Sequence, residues 1–307
     1  MKVEKIVESS VKFMENVEGK IAIVHDDDAD GICSASLIGR LLEKRKVKFK
    51  MFSAEWNKSL SLKVVREVKK YRADFVIILD IPDIDENLLR KLENFSRIMI
   101  IDHHMPRKYN VLYVNPRVYD LSLYIPTSYL CFKILEHFYE DKDSLWICAA
   151  GCLVDYSIRA CKDVMKRIKK EFKELVDCRM KEDELMEKSR LGLIVKIVSS
   201  SSVLKGRKGA EYMSSFLVKA DLREFWENKK ILKWFEEVEK EKERIIRRFE
   251  RSAKEFKNFM YFGFKSRLRL KSIIASILSR KFKNKIIIVG QENKKIKLSI
   301  RLSLIHI

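Results

Sequence analysis

Four aspartates within five positions, Asp26, Asp27, Asp28 and Asp30, follow the apolar run Ile21-Ala22-Ile23-Val24 and lead through Gly31 into a segment with apolar residues at helical spacing. Carboxylates gathered at the end of a buried strand repel one another and lose hydration, so the cluster needs a counter-charge such as a bound divalent cation. Asp80 closes the apolar run 75–79, Asp102-His103-His104 closes the run 98–101, and Asp155 ends the apolar stretch from Trp146 to Val154. Taken alone, each has an ordinary structural use: Asp80 as a helix N-cap, Asp155 as a helix-end carboxylate, a histidine as a hydrogen-bonded core residue.

The elements that must position these residues follow from the patterning. From Lys20 to about Asp155, short β-rich runs (IAIVH, FKMFSA, FVIILD, IMIID) alternate with helical stretches. That alternation predicts an α/β fold, a parallel sheet with helices on both faces. Ligands bind such sheets at the carboxyl ends of the strands, so the three polar clusters that follow strands directly should converge at one edge. All four prolines (82, 106, 116, 126) fall between Ile81 and Thr127, where they terminate strands and stiffen the polar loops. After Pro126 the chain turns to long helices. Segment 222–258 has apolar residues at helical spacing and no breaker, which predicts one long connecting helix. Beyond it, FMYFGF, RLKSIIASILSRKF, KIIIVGQ and KIKLSIR look like the start of a second α/β unit that stops early. The expected organisation is an N-terminal helix (1–19), a catalytic sheet domain (20–158), a helical region with the connecting helix (159–258) and a partial second domain (259–301).

Charge is partitioned in the same way. The net charge is +20, yet residues 1–155 sum to zero and residues 251–301 alone hold +13. A neutral catalytic body joined to a polyanion-holding part accounts for this; solvated faces of a Lys- and Ile-rich chain are the plain alternative. No window approaches 18 consecutive apolar residues, and the N-terminus is a charged amphipathic helix, so neither a membrane span nor a signal peptide is expected. The six cysteines (33, 131, 148, 152, 161, 178) lack C-x-x-C spacing and lie in apolar contexts, as buried free thiols of a reducing cytoplasm would.

The motifs HDDDADG (25–31), Asp80 in ILDIPD, DHH (102–104) and AAGCLVD ending at Asp155 together resemble motifs I to IV of the DHH phosphoesterase superfamily, over some 130 residues. The resemblance continues weakly to Arg301, where the sequence is similar to the start of the DHHA1 substrate-binding domain; archaeal RecJ-like single-strand nucleases are closest in flavour. It implies a phosphodiesterase with two Mn²⁺, or Mg²⁺ in their place, acting on single-stranded DNA or RNA or on short oligonucleotides, with replication or repair partners. Hydrolysis of a phosphodiester needs a hydroxide at neutral pH and compensation for developing charge, and a metal pair supplies both. Asp28 and Asp30, two apart on a strand-to-helix turn, face different metals; Asp80 is the candidate bridge and His103 and Asp155 complete the shells. His104 contacts the scissile phosphate, and Asp102 orients an imidazole.

Motif I holds an ambiguity, since both His25 and Asp26 stand where relatives place a first ligand. Alternation puts Asp26 on the face of Asp28 and Asp30 and His25 on the other, so Asp26 is preferred as ligand and Asp27 points away. Further substrate contacts are Asn115 and Arg117 after the strand VLYV, for which a bland turn is the alternative, and Lys205 and Arg207 in the segment that follows Ser199–Ser202, for which the alternative is a solvated interhelical loop. The hexapeptide 302–307 follows a basic strand without punctuation and matches the translation of a transposon end used in library preparation. It is read as an adapter artefact, with the natural chain continuing past Arg301 into the glycine-rich part of a DHHA1 domain. Two other functions share the motifs: a nanoRNase, cyclic-dinucleotide or phosphoadenosine-phosphate phosphatase, and a non-catalytic Cdc45-like replication scaffold.

Overall fold

The computed structural model describes residues 3–54, 60–177, 179–292 and 296–301; segment 302–307 and Cys178 lie outside them. The chain divides into two compact units, Met1–Ile231 and Leu232–Ile307.

The first unit begins with α1 (Val3–Glu15) and is built on β1 (Lys20–His25), β2 (Lys48–Ser53), β3 (Phe75–Leu79), β4 (Arg97–Ile101) and β5 (Leu112–Val114). All pairings are parallel, in the order β2-β1-β3-β4-β5. Helix α2 (Ala29–Lys44) follows β1, and α3 (Leu62–Tyr71) and α4 (Glu86–Glu93) follow β2 and β3. The β-branched strands are apolar on both faces because both are covered. Ala22, Val24, Val76, Ile78, Ile98 and Ile100 pack with Val64, Val68, Leu89 and Leu92 of α3 and α4. On the other side α5 (Thr127–Phe138) and α6 (Lys142–Val154) pack against α2. Strand order reverses between β1 and β3, the switch point where sheets of this kind open a crevice at their carboxyl edge.

Helices α7 (Lys162–Glu171), α8 (Leu185–Lys188), α9 (Arg190–Lys205), α10 (Arg207–Lys219) and α11 (Leu222–Glu227) complete this unit. Buried Arg40 of α2 fastens α10: its Nε donates to Leu217 O (3.0 Å), while Nη1 pairs with Asp141 (3.1 Å). The segment around Ser199–Ser202 is helix rather than loop. Its serine hydroxyls donate back to carbonyls three or four residues earlier, and α9 runs on to Lys205. Gly206, at φ 59, alone joins α9 to α10, a left-handed conformation glycine adopts without Cβ strain.

The expected continuous helix 222–258 is interrupted. Asn228 stands between α11 and α12 (Lys229–Ser252), and its Oδ1 accepts from the backbone of Lys230 (3.1 Å) and Ile231 (3.3 Å). An N-cap acceptor competing with the helix is the breaker that apolar spacing conceals. In the second unit α12 ends at Ser252, followed by β6 (Lys254–Phe256), β7 (Phe259–Lys265), α13 (Lys271–Lys281), β8 (Ile286–Glu292) and β9 (Ile296–Arg301). Their sheet has the order β6-β7-β8-β9, with β7 and β8 parallel and the outer pairs antiparallel. Phe249 of α12 packs on Phe262 of β7, with ring centroids 5.4 Å apart. No helix among the described residues is long and apolar enough to cross a membrane.

Candidate metal centre

The parallel register aligns the ends of three strands: His25 pairs with Leu79, and Leu79 with Ile101. The next residue on each is an aspartate whose backbone N–H donates to the neighbouring strand: Asp26 to Leu79 O (3.2 Å), Asp80 to Ile101 O (3.0 Å), Asp102 to Val114 O (3.0 Å). Three carboxylates are thereby set side by side at the sheet's carboxyl edge. Asp80 adopts φ 61, a left-handed conformation that aspartate tolerates better than most residues.

The turn from β1 into α2 brings in the rest of the aspartate cluster. The strand ends at His25, so alternation does not extend to Asp28 and Asp30. Asp28 is the N-cap of α2, its Oδ1 accepting from Gly31 N (3.1 Å), and Asp30 lies in the first turn. Gly31 is required by close approach: a Cβ there would stand 2.7 Å from Asp26 O. Asp30 is buried on the N-terminus of α5, with Thr127 N donating to Oδ2 (2.9 Å) and Ser128 N to Oδ1 (3.1 Å). Helix N-terminal amides favour a carboxylate held in this way. Thr127 also donates its hydroxyl to Asp80 Oδ1 (3.0 Å). A Cβ on Gly151 of α6 would meet Ser128 Oγ at 2.3 Å and Asp30 Oδ1 at 2.8 Å, so glycine is what lets α6 close over this seat.

His103 Nε2 lies 3.2 Å from both Asp80 Oδ1 and Asp155 Oδ2, Asp155 being the C-cap of α6. His104 Nδ1 is 2.8 Å from Asp102 Oδ1 and 3.9 Å from Asp80 Oδ1. Among the described residues, the side chains able to share a metal ion form three trios, each with its ligand atoms within 4.8 Å: Asp80, His103 and His104; Asp30, His103 and Asp155; Asp26, Asp28 and Asp80. All three lie at this edge, and Asp80 and His103 each belong to two. Asp28 and Asp30 fall into different trios. Asp27 is half-buried and belongs to none; its N–H donates to Asp26 Oδ1 (2.8 Å).

The electrostatics are those of a site short of positive charge. Burial, then the charge of Asp155, pushes the Asp30 carboxyl well above the usual range. Burial followed by Asp30, Asp28, Asp155 and Asp26 does the same to Asp80. Two like charges 4 Å apart repel by about 4 kcal/mol at an effective dielectric constant near 20. A mixed carboxylate and imidazole set of this density fits a divalent cation such as manganese.

His25 has another task. Its Nδ1 lies 2.6 Å from the carbonyl of Asp26, which only a ring N–H can use, and burial lowers the ring's pKa to about 4. The neutral ring therefore carries its proton on Nδ1 and turns the Nε2 lone pair to Ser214 Oγ of α10 (3.2 Å). Both nitrogens are committed to the fold. Asn115, expected to touch substrate, is buried as well. Its amide donates to Asp102 Oδ2 (3.2 Å), His104 O (3.0 Å) and Tyr113 Oη (2.7 Å), and its Oδ1 accepts from Arg117 N (2.9 Å). It braces the Asp102–His104 loop. Arg117 stands partly exposed with its guanidinium 5.0 Å over the Tyr124 ring, which lies 4.9 Å from His103. Arg207 is no free phosphate contact: it donates to Ser53 O (2.8 Å) and pairs with Glu67 (2.6 Å) and Glu211 (3.1 Å). Lys205 is exposed at the end of α9.

Sequence reasoning passed over Thr127, Ser128, Gly151 and Tyr124. Pro126-Thr127-Ser128 carries a signal, since proline followed by small hydroxyl residues marks a helix N-terminus, and such termini hold carboxylates. The five described cysteines are buried and free, with Cys148 and Cys152 Sγ atoms 3.9 Å apart.

Residues 20–154 match the DHH family, N-terminal domain. No curated protein matches the chain. RecJ from Thermus thermophilus in complex with Mn²⁺ superposes on 97% of the chain with TM-score 0.75 and 18% identity, and the chain spans only 47% of that protein's length. Exonuclease RecJ bound to manganese superposes with TM-score 0.73 and 18% identity, over 98% of this chain and 83% of that one. CDC45 from Entamoeba histolytica gives TM-score 0.63 and 12% identity, over 98% and 88%. At these identities the likeness is one of fold.

Proposed function

With residues 20–154 forming a DHH-family domain, we propose that the chain is a metal-dependent phosphodiester hydrolase that acts on single-stranded nucleic acid in the manner of RecJ. The observation that carries this reading is the set of three ligand trios at one sheet edge, linked by Asp80 and His103, each of which belongs to two of them. Asp26, Asp28 and Asp80 would hold one cation, and Asp30, His103 and Asp155 a second. Such cations, when bound, supply Lewis-acid charge to a phosphate and lower the pKa of a water molecule.

The remaining tasks fall to the protein. His104, partly exposed with Nδ1 held on Asp102 (2.8 Å), contacts the scissile phosphate and exchanges a proton at Nε2. Asn115 and Thr127 keep this loop and Asp80 in register, and Arg117 reaches a flanking phosphate. The +13 stretch at 251–301, read as the beginning of a DHHA1-like substrate-binding domain, attracts the strand electrostatically. Retention of every carboxylate and both histidines favours an enzyme over a Cdc45-like scaffold.

Assay of 5′-labelled single strands with Mn²⁺ tests the proposal. Asp80→Asn and His103→Ala should each lower kcat/KM by about 10³. Unchanged rates in both would remove these residues from the chemistry, and a ladder of substrate lengths separates a polymer nuclease from an enzyme of short oligonucleotides.

A further inference from the structure

Strand β7 turns Met260, Phe262 and Phe264 inward and leaves Phe259, Tyr261, Gly263 and Lys265 outward. The antiparallel register of β6 on β7 sets Phe256 opposite Phe259 and Lys254 opposite Tyr261, and residues paired in this way share a face. Three aromatic side chains therefore stand together on the outward face: Phe256 is 70% exposed, Phe259 42% and Tyr261 43%. Tyr261 does not stand upright. Its hydroxyl reaches over Gly263 and over Gly290, the β8 partner of Gly263, where a Cβ would lie 3.3 and 3.5 Å from Oη. Two paired glycines leave the sheet bare at that point, so the phenol ring lies along it and turns one face to solvent. The charge around the rings is of one sign. Residues 251–301 hold only two acids, Glu255 and Glu292. Glu255 lies opposite buried Met260, on the other face, and pairs with Lys285, while Glu292 pairs with Lys265 at 3.4 Å. Lys254 remains on the outward face, and Lys257 Nζ lies 5.6 Å over the Phe256 ring.

We propose that the outward face of β6 and β7 is a docking surface for unpaired nucleic acid, with Phe256, Phe259 and Tyr261 stacking on bases and Lys254 and Lys257 meeting the flanking phosphates. This inference rests on the reading of the chain as a single-strand hydrolase and assigns to the second unit a place where uncut strand is held. Aromatic rings on an open sheet accept bases of any sequence, because every base has a π face. Phe259 and Tyr261 lie two residues apart, about 7 Å along the strand. That is roughly twice the 3.4 Å step between stacked bases of a duplex, so only an unstacked strand can use both rings. A second copy of the chain fits this hairpin less well, since it would bring one basic rim against another.

The test is fluorescence anisotropy of the full chain in EDTA with a labelled oligothymidylate of about 16 nucleotides, which reads binding without turnover. Wild type should bind the single strand about tenfold more tightly than its duplex with oligoadenylate. Replacing Phe256, Phe259 and Tyr261 together by leucine keeps the face apolar but removes the π faces, and should weaken binding about 100-fold. Phe256→Leu alone, at the most exposed ring, should cost about tenfold, and Tyr261→Phe should bind as wild type does. Lys254→Gln with Lys257→Gln should lower the slope of log K against log salt by about 2. Equal affinity of the leucine variant and wild type, equal affinity for single strand and duplex, or an unchanged salt slope overturns the proposal. So does a wild type that binds no strand but self-associates through this face, which would give the surface to a second copy. Binding as expected with no cleavage in Mn²⁺ leaves the surface standing and removes the hydrolase reading; cleavage by the leucine variant at wild-type rate and affinity does the reverse.

Discussion

In the first sheet every residue of β3 is buried, whereas in the second sheet β7 alternates between buried and exposed, and the residues it leaves outside include Phe259 and Tyr261. Phe256, Ile296, Leu298 and Ile300 extend that exposed apolar surface. Both sheets are built from Ile, Val and Phe, so composition does not separate them; what separates them is cover. The first has helices on both faces, and α13 packs on β8 and β9 of the second. A sheet covered on both sides can place polar groups only at its edges. In the first sheet that edge carries Asp26, Asp28, Asp30, Asp80, Asp102 and Asp155 with two histidines, whose repulsion is carried by two-sided burial elsewhere.

The largest effect should come from removing one charge at that edge. Asp80→Asn keeps an acceptor for Thr127 Oγ1 and a residue at ease with φ 61. It should lower the proposed phosphodiesterase activity by about 10³ while raising the unfolding free energy of the EDTA-treated protein by on the order of 2 kcal/mol, half the repulsion of one carboxylate pair. The pH dependence has a matching sign. Asp30 and Asp80 carry pKa values raised above their unfolded value of 3.8, so the folded metal-free protein takes up protons. Its stability is fully present below pH about 4 and falls as pH rises through the raised values, by at most about 1.4 kcal/mol per proton and pH unit. Saturating Mn²⁺ should reverse the slope, because ligands bind deprotonated. Parallel melting profiles in EDTA and MnCl₂ would show that the edge does not respond to metal.

A second way to sharpen the contrast is to add one methyl group to each sheet's surroundings. Gly151→Ala drives a Cβ to 2.3 Å from Ser128 Oγ and 2.8 Å from Asp30 Oδ1, within a closed three-helix contact. Overpacking of this kind should destabilise by about 1–3 kcal/mol and weaken Mn²⁺ binding with it. Gly263→Ala in β7 meets only the hydroxyl end of Tyr261, at 3.3 Å. It should stabilise by roughly 0.5 kcal/mol, since glycine in a strand costs entropy. Denaturant melts of the two variants decide; equal losses would mean the second sheet is as tightly enclosed as the first.

The same contrast governs what could be read from sequence. Strands β1, β3 and β4 of the first sheet are apolar runs followed directly by aspartate, and two-sided burial leaves no other place for Asp26, Asp80 and Asp102, so their convergence was legible. The partners that seat them were not. Thr127 and Ser128 act mainly through backbone N–H groups, which carry no side-chain signature, and Asn115 has the residue type of a ligand contact while serving as an internal brace. Helical spacing cannot register Asn228, whose side chain caps α12, nor the single left-handed joint at Gly206 that keeps Ser199–Lys205 helical. Alternation also misplaced its own warrant for Asp26: the strand ends at His25, and the turn into α2, not the pleat, carries Asp28 toward Asp26 and Asp80.

The smallest effect should come from the uncovered face. Leu298 and Ile300 project from β9 into solvent, so replacing them removes little buried area. Leu298→Thr with Ile300→Thr keeps β propensity and should change the unfolding free energy by less than about 0.5 kcal/mol. Solubility should respond instead, because an exposed apolar sheet face at an edge strand invites association. Light scattering against concentration should show reduced self-association in the double variant, whereas the same exchange at Ile77 and Ile78, fully buried in β3, should cost several kcal/mol. A large stability loss at Leu298 and Ile300 would mean that this face is covered in solution, and the distinction between a two-sided and a one-sided sheet would then describe the isolated chain only.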